Sequence, residues 1–263
     1  MDKPSRIMKS LPLFLLSLLF STSLPACAQN SAPKRYGYKV EEVLPYDQTA
    51  YTQGLFIHNG YLYLSTGQRG ASYLRKIDLK QGRILQSVSL KNQYFGEGAC
   101  FYKERIYQLT WEEQTCFVYD AGTLKQMGTL SYRGEGWGLT SDGVHLIMSD
   151  GSSTLYFRDP ETFAVVRTIT VMNGAREVRW LNELEYIEGE IWANVYTTDE
   201  VVRIDPASGK VTGVIDLTGL LARQYQTPKT EVLNGIAYDA QTKHIYVTGK
   251  YWAKIYRISL VSK

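Results

Sequence analysis

Five short segments of the chain open on side chains that differ from one to the next: Gln53, Glu97, Trp137, Asn182 with Glu183, and Asn234. A carboxyl group among amides can carry a proton and steady a polarised oxygen, because a positioned Glu serves as general acid or base and amides donate to developing charge. Aromatic residues recur close by, at Tyr51, Phe95, Trp111, Tyr196 and Trp252. Aromatic walls with a few polar groups describe a small-ligand pocket. The competing structural reading is that the polar side chains cap a channel and bond to neighbouring turns, while Trp and Tyr fill a strand-rich core. A structural repeat would favour one residue at equivalent places, whereas a site needs different ones.

The elements that must carry these residues follow from an internal repeat. Tyr73-Leu-Arg-Lys-Ile-Asp78, Cys116-Phe-Val-Tyr-Asp120, Leu155-Tyr-Phe-Arg-Asp159, Val201-Val-Arg-Ile-Asp205 and Lys254-Ile-Tyr-Arg-Ile258 recur at steps of 42, 39 and 46 residues, with a slightly longer last step. A period near 40 built from strands marks a propeller. Each unit begins with a strand such as Gln53-Gly-Leu-Phe-Ile57 and turns at a pair such as Asn59-Gly60 or Glu188-Gly189. A second strand such as Ile191 to Val195 leads to the repeated third strand and to an outer one such as Val211 to Leu217. Four strands per unit, five times over, predict an all-β five-bladed propeller, a single catalytic domain over residues 36–263. The first strands line a central channel, so the differing side chains converge at one mouth.

The fifth unit stops after its third strand, at Val261, while Tyr38 to Val43 alternates as a strand does and has no other place to pair. An N-terminal strand is therefore expected to close the last blade, covering two edges that would invite aggregation. Leu220 to Thr230 departs furthest from the repeat and reads as a helical excursion.

Composition agrees with this architecture. Of 263 residues 44% are hydrophobic and 21% charged, with 22 Gly and 8 Pro, which excludes a disordered or fibrous chain. Twenty Tyr beside abundant Val, Ile and Thr favour strands. Beyond residue 26 there are 26 basic and 25 acidic residues, a net charge of about +1 with no basic stripe, so nucleic acid is not an expected partner.

Basic residues up to Lys9, the apolar run from Leu11 to Leu24 and the small Ala26 and Ala28 make residues 1–28 a signal peptide and the protein an exported one. Leu24-Pro25-Ala26-Cys27 resembles a bacterial lipobox. Cys27 would then be lipidated and the mature chain a membrane-anchored lipoprotein of the periplasm. Ordinary cleavage after Ala28, giving a free periplasmic or secreted protein, is the alternative. Cys100 and Cys116 fall on strands that are not adjacent, too far apart for a bridge, and read as two reduced, buried thiols. No CxxC or Cys/His cluster suggests a metal site.

Eight motifs in order carry a family resemblance. They are Tyr51-Thr-Gln-Gly-Leu55, Phe95-Gly-Glu-Gly98, Leu109-Thr-Trp111, Gly136-Trp-Gly-Leu139, Leu181-Asn-Glu-Leu-Glu-Tyr-Ile187, Trp192-Ala-Asn-Val195, Val232-Leu-Asn-Gly-Ile-Ala-Tyr238 and Val247-Thr-Gly-Lys250. Spread over all five units, they resemble the plant and bacterial glutaminyl-peptide cyclotransferases, or glutaminyl cyclases. The resemblance implies a five-bladed propeller, unrelated in fold to the zinc-dependent animal enzymes. It implies an acyltransferase that turns N-terminal Gln of peptides and proteins into pyroglutamate with release of ammonia. No metal cofactor is required, although a structural calcium is compatible with it. By motif, Glu97 is the acid/base residue, Gln53, Asn182 and Lys250 are polar groups around the substrate, and Phe95, Trp111 and Trp137 are walls. Tyr51 stands where the family often has Phe, and Tyr196 where it can have Trp, so each adds a hydroxyl that bears on substrate preference.

The chemistry fits these residue types. The α-amine of an N-terminal Gln attacks its own side-chain carboxamide, so the enzyme must fold that side chain into a ring-forming pose, and aromatic walls do this. The attacking nitrogen must lose a proton and the departing one gain it, and one carboxyl can do both. Aromatic surroundings raise the pKa of Glu97 toward a value useful for shuttling. Asn182, Gln53 or Lys250 could donate to the carbonyl oxygen. Glu183 reads as a partner behind the site together with Asn234, and Glu135 as a turn residue. Two rivals remain: a propeller lactone hydrolase holding calcium with Glu97, Asn182 and Asn234, and a non-catalytic binding propeller. A monomer is expected, with membrane contact only through the lipid.

Overall fold

Alternating and continuous apolar runs separated by Gly-containing turns form strands throughout the computed structural model, which describes residues 1–2 and 32–263. Residues 3–28 of the expected signal peptide, Cys27 among them, lie outside the described residues. Strand β1 (Lys34–Pro45) comes first. A sheet of β2 (Thr52–His58), β3 (Tyr61–Thr66), β4 (Tyr73–Asp78) and β5 (Arg83–Ser89) follows in sequential antiparallel order. The next contains β6 (Gly96–Tyr102), β7 (Arg105–Thr110), β8 (Thr115–Asp120) and β9 (Gln126–Ser131). A third contains β10 (Leu139–Ser141), β11 (Leu146–Met148), β12 (Thr154–Arg158) and β13 (Val165–Thr170). A small hairpin, β14 (Met172–Asn173) with β15 (Arg176–Glu177), was not foreseen from the repeat.

The last sheet has eight strands. It joins β16 (Leu181–Ile187), β17 (Glu190–Val195), β18 (Glu200–Ile204) and β19 (Val211–Asp216) to β20 (Leu233–Asp239), β21 (His244–Gly249) and β22 (Lys254–Ser262). Strand β1 lies between the two runs, antiparallel to β22, with Gly37 opposite Val261 and Val43 opposite Tyr256. Its first residues pair in parallel with β19, Arg35 opposite Val214. The strand is thus longer than the expected Tyr38–Val43, because its start finds a second partner.

Turn chemistry sets the hairpins. Asn59 and Gly60 have φ of 50° and 75°, and Glu188 and Gly189 of 47° and 90°, as two-residue turns between twisted antiparallel strands require. Burial falls from the inside outward. β2 and β6 are buried over their first five residues, since both faces are covered, whereas β5 and β9 are largely exposed. Apolar clusters join each strand group to the next. Phe56 and Tyr63 pack with Ile106 and Phe117, Leu109 with Leu146 and Met148, and Phe157 with Ile191 and Val202. Ile215 packs with Ile236 and Val247, and Leu55 and Leu64 with Tyr246 and Ile255, which returns to the first sheet. The fold is all-β and propeller-like.

The stretch expected as a helical excursion holds only a 3₁₀ turn, Arg223–Tyr225, that buries none of its residues. It lacks the apolar periodicity that gives a longer helix a face to pack. Cys100 on β6 and Cys116 on β8 are separated by β7, and both are buried and free.

Candidate active site

Four of the five innermost strands, β2, β6, β16 and β20, carry a β-bulge where a differing side chain sits, while β10 pairs with β11 in unbroken register. Register shifts fall between Thr52 and Gly54, Gly96 and Ala99, Leu181 and Leu184, and Leu233 and Ile236. A bulge takes a residue out of the ladder and re-aims its side chain. Gln53, Glu97, Asn182 with Glu183, and Asn234 all fall inside these shifts. Glycines beside the bulges let the inner strands close on one another. A Cβ on Gly54 would stand 2.5 Å from the amide nitrogen of Ala99, and one on Gly98 equally close to that of Leu139.

An open pocket of about 360 Å³ lies at this end of the inner strands. Glu97, Gln53, Asn182, Lys250, Tyr51, Phe95, Trp111, Trp137 and Tyr196 all line it, together with Gln68 and Trp180. Neither Gln68 nor Trp180 is among the residues expected from the sequence. Trp252, grouped with these aromatics in the sequence, is instead buried beside Tyr256 and donates its indole N–H to the carbonyl of Glu231 at 2.9 Å.

Glu97 is 3% exposed. Gln53 donates from Nε2 to Glu97 Oε1 at 2.8 Å, and Glu97 Oε2 is buried without a partner among the described residues. Gln53 is held in turn from behind: Asn234 donates from Nδ2 to the carbonyl of Thr52 at 2.9 Å and to Gln53 Oε1 at 3.3 Å. The backbone of Glu97 is fixed by a buried chain of hydrogen bonds. Tyr119 donates to Gln108 Oε1 at 2.9 Å, Gln108 donates from Nε2 to Ser65 Oγ at 2.8 Å, and Ser65 donates to the Glu97 carbonyl.

Burial pushes the Glu97 carboxyl well above the usual carboxylate range; the cation of Lys250 pulls the other way, and Glu135 and Glu113 push it further up. Lys250, 2% exposed, is pushed down to about 8, chiefly by burial, against the pull of Glu97 and Glu231. Its ammonium lies 4.4 Å from the ring centre of Tyr51 and 5.2 Å from that of Tyr196, where ring quadrupoles favour a cation.

The aromatic residues form a belt. Tyr51 meets Phe95 edge-on at 5.9 Å, Phe95 meets Trp111 at 5.7 Å, and Tyr196 meets Trp137 at 5.7 Å. Lys250 bridges Tyr51 and Tyr196 on one side. On the other side Glu135 Oε2 accepts the indole N–H of Trp111 at 2.8 Å and that of Trp137 at 2.9 Å, which closes the belt. Glu135 is therefore not a mere turn residue, as its place before Gly136 had suggested. Glu183 lies behind the pocket and does not line it. Buried, it accepts from the backbone N–H of Leu55 at 3.0 Å and of Ile236 at 2.8 Å, tying β16 to β2 and β20.

The repeat held a signal for Trp180 and Glu135, though none for Gln68. Tyr51 and Phe95 stand two positions before Gln53 and Glu97, and the same offset from Trp137 and Asn182 reaches Glu135 and Trp180. Lys250 also has a repeat register: its N–H donates to the carbonyl of Val232, as that of Trp111 donates to Phe95 and that of Tyr196 to Trp180. Among the described residues no three His, Cys, Asp or Glu side chains gather as a metal-binding group.

A family model described as "Glutamine cyclotransferase" matches residues 13–260. The chain is 40% identical over 270 residues to a glutaminyl-peptide cyclotransferase of Arabidopsis thaliana, a match covering 97% of this chain and 84% of that protein. It is similar in structure to the glutaminyl cyclase of Myxococcus xanthus, with a TM-score of 0.82 and 36% identity over 88% of this chain and 99% of the other.

Proposed function

The chain belongs to the glutamine cyclotransferase family and is a glutaminyl cyclase, and we propose that Glu97 carries the proton of its reaction on the oxygen that Gln53 leaves free. The substrate is a peptide or protein whose N-terminal Gln enters the aromatic belt. Its side chain folds back between the rings of Phe95, Trp111 and Trp137, and the α-amine comes to face its own carboxamide carbon. Holding both groups in one pose supplies much of the rate by removing rotational freedom.

The new carbon–nitrogen bond closes the five-membered ring while the amine gives a proton to Glu97 Oε2. Glu97 returns that proton to the carboxamide nitrogen, whose bond to carbon then breaks, and ammonia leaves. The oxygen that bears negative charge between these steps is met by Lys250 and Asn182, since the Gln53 amide already serves Glu97. A buried cation and an amide in a site of low polarity stabilise such charge more than they would in water. Tyr51 and Tyr196 flank Lys250 and keep it out of solvent.

In this reading catalysis is acyl transfer within one molecule and needs no metal. The fold is a five-bladed propeller in which β1 supplies the outer strand of the last blade, a reading supported by the β1–β22 pairing and the run of apolar clusters back to the first sheet. Residues 1–28 direct export, with Cys27 as the lipidated residue of a bacterial periplasmic protein, and the propeller works as a monomer.

The buried oxygen of Glu97 on the floor of an aromatic pocket, unpartnered among the described residues, carries this reading. The test is mass spectrometry of a short peptide with N-terminal Gln, incubated with residues 29–263 in excess EDTA. Loss of one ammonia with wild type, and none with Glu97→Gln of unchanged circular dichroism, is the expected result. Equal turnover by Glu97→Gln would overturn the assignment of the proton carrier, and turnover abolished by EDTA and restored by a metal would overturn metal independence.

A further inference from the structure

Trp180 has three features that the belt alone does not explain. It exposes 56% of its surface, far more than an aromatic side chain placed for packing. Its backbone is held at φ of 64°, a left-handed conformation that is an outlier for a bulky residue. Hydrogen bonds on both sides keep it there: its N–H donates to the carbonyl of Gly151 and its carbonyl accepts from Tyr196, each at 2.8 Å. Backbone strain of this kind persists where the surroundings enforce it, and it clusters at ligand sites.

The ring lies 6.2 Å from that of Trp137 at an angle of 37° and lines the same pocket. The pocket has a direction. Glu97, Asn182 and Lys250 on its floor are 2–3% exposed, while Trp180 stands at the open end. A substrate whose first side chain reaches the floor must run its second residue out past the rim.

We propose that Trp180 forms an outer subsite that stacks on the second residue of the substrate peptide and favours an aromatic side chain there. This rests on the reading of the floor as the seat of an N-terminal Gln. Trp137 would then divide the pocket, with one part of its surroundings turned to the Gln side chain and Trp180 extending the wall outward. An exposed indole supplies a large, rigid stacking face that loses little conformational freedom on binding.

The test compares kcat/KM for Gln-Phe amide with that for glutamine amide, which has no second residue. The variants are Trp180→Gly, whose small residue suits the left-handed backbone, and Trp180→Phe, which keeps an aromatic face. Wild type should favour Gln-Phe amide, and Trp180→Gly should shrink that ratio about fivefold, the scale of one aromatic pair. Trp180→Phe should keep most of it. A ratio unchanged in Trp180→Gly, or lost equally in Trp180→Phe, overturns the subsite while leaving the cyclase reading intact. A wild type that turns over neither compound overturns the cyclase reading and the subsite with it.

Discussion

Trp111, just after β7, and Trp137, just before β10, donate their indole N–H groups to the same oxygen of Glu135, at 2.8 and 2.9 Å. One exposed carboxylate thereby sets the tilt of two walls of the pocket. Indole N–H groups in so apolar a belt need an acceptor, and a charged one makes the stronger bond.

Glu135→Ala should release both rings and raise KM for an N-terminal Gln peptide about fivefold to tenfold, an effect on the order of 1 kcal/mol for the two bonds together. Glu135→Gln keeps an oxygen that can accept from both indoles and should restore most of the affinity. Steady-state kinetics on the two variants make the comparison. A KM for Glu135→Ala within twofold of wild type would mean that the walls hold themselves.

Gln53 orders Glu97 and, by donating to its carboxylate, favours the charged form. In Gln53→Leu that donor is gone, so the pKa of Glu97 rises further. The acid limb of the kcat profile should move to higher pH, and kcat near neutrality should fall about tenfold, as follows when a pKa rises by about one. An acid limb unmoved in Gln53→Leu would assign it to another group.

Lys250, at about 8, is charged below that pH and loses its charge as pH rises through it. If its charge steadies the oxyanion, kcat should fall above pH 8. Lys250→Met should lower kcat about 100-fold, the scale of one oxyanion donor, and abolish that alkaline fall. The check is a kcat profile from pH 6 to about 10, and a limb that survives in Lys250→Met would refute the assignment.

Glu185, two residues along β16 from Glu183, is pushed up to about 8, chiefly by burial. The unfolded chain titrates near 4.3, so between these values the folded state binds a proton that the unfolded state lacks. Stability is therefore fullest below the unfolded pKa and declines as pH rises toward 8, by at most about 5 kcal/mol for this one group. Glu185→Gln keeps an acceptor for the N–H of Tyr238, now 2.9 Å from Glu185 Oε1. Its urea midpoint should change less between pH 5 and 9 than that of wild type. A parallel dependence in both proteins would place the titration elsewhere, with Glu183 as the next group to replace, since burial pushes it the same way.

Most strands were legible in the sequence because their cues are local. Asn59-Gly60 and Glu188-Gly189 adopt the left-handed pairs that a tight hairpin needs, and the third strands recur with nearly the same letters. The site was legible through register: Gln53, Glu97, Trp137 and Asn182, at equivalent strand starts, line one pocket, while Glu183 and Asn234 fall behind it. Trp252 misled because Trp in sequence carries no direction, and it turned out to pack on Tyr256. Glu135 misled because its neighbours Gly134 and Gly136 look like a turn, and its two partners could not be read from either.

A strand repeat with a carboxyl, amides and aromatics at its inner starts is encoded locally, since alternation and turn propensity act over a few residues. Which of those groups meet depends on how distant segments pack. Glu183 reaches backbone N–H groups on β2 and β20, Glu135 joins two indoles, and Gln53 takes one oxygen of Glu97 and leaves the other free. A hydrogen bond depends on tenths of an ångström and on direction. Those are set by how the bulged inner strands pack around one another, a relation between segments that no single stretch of chain contains.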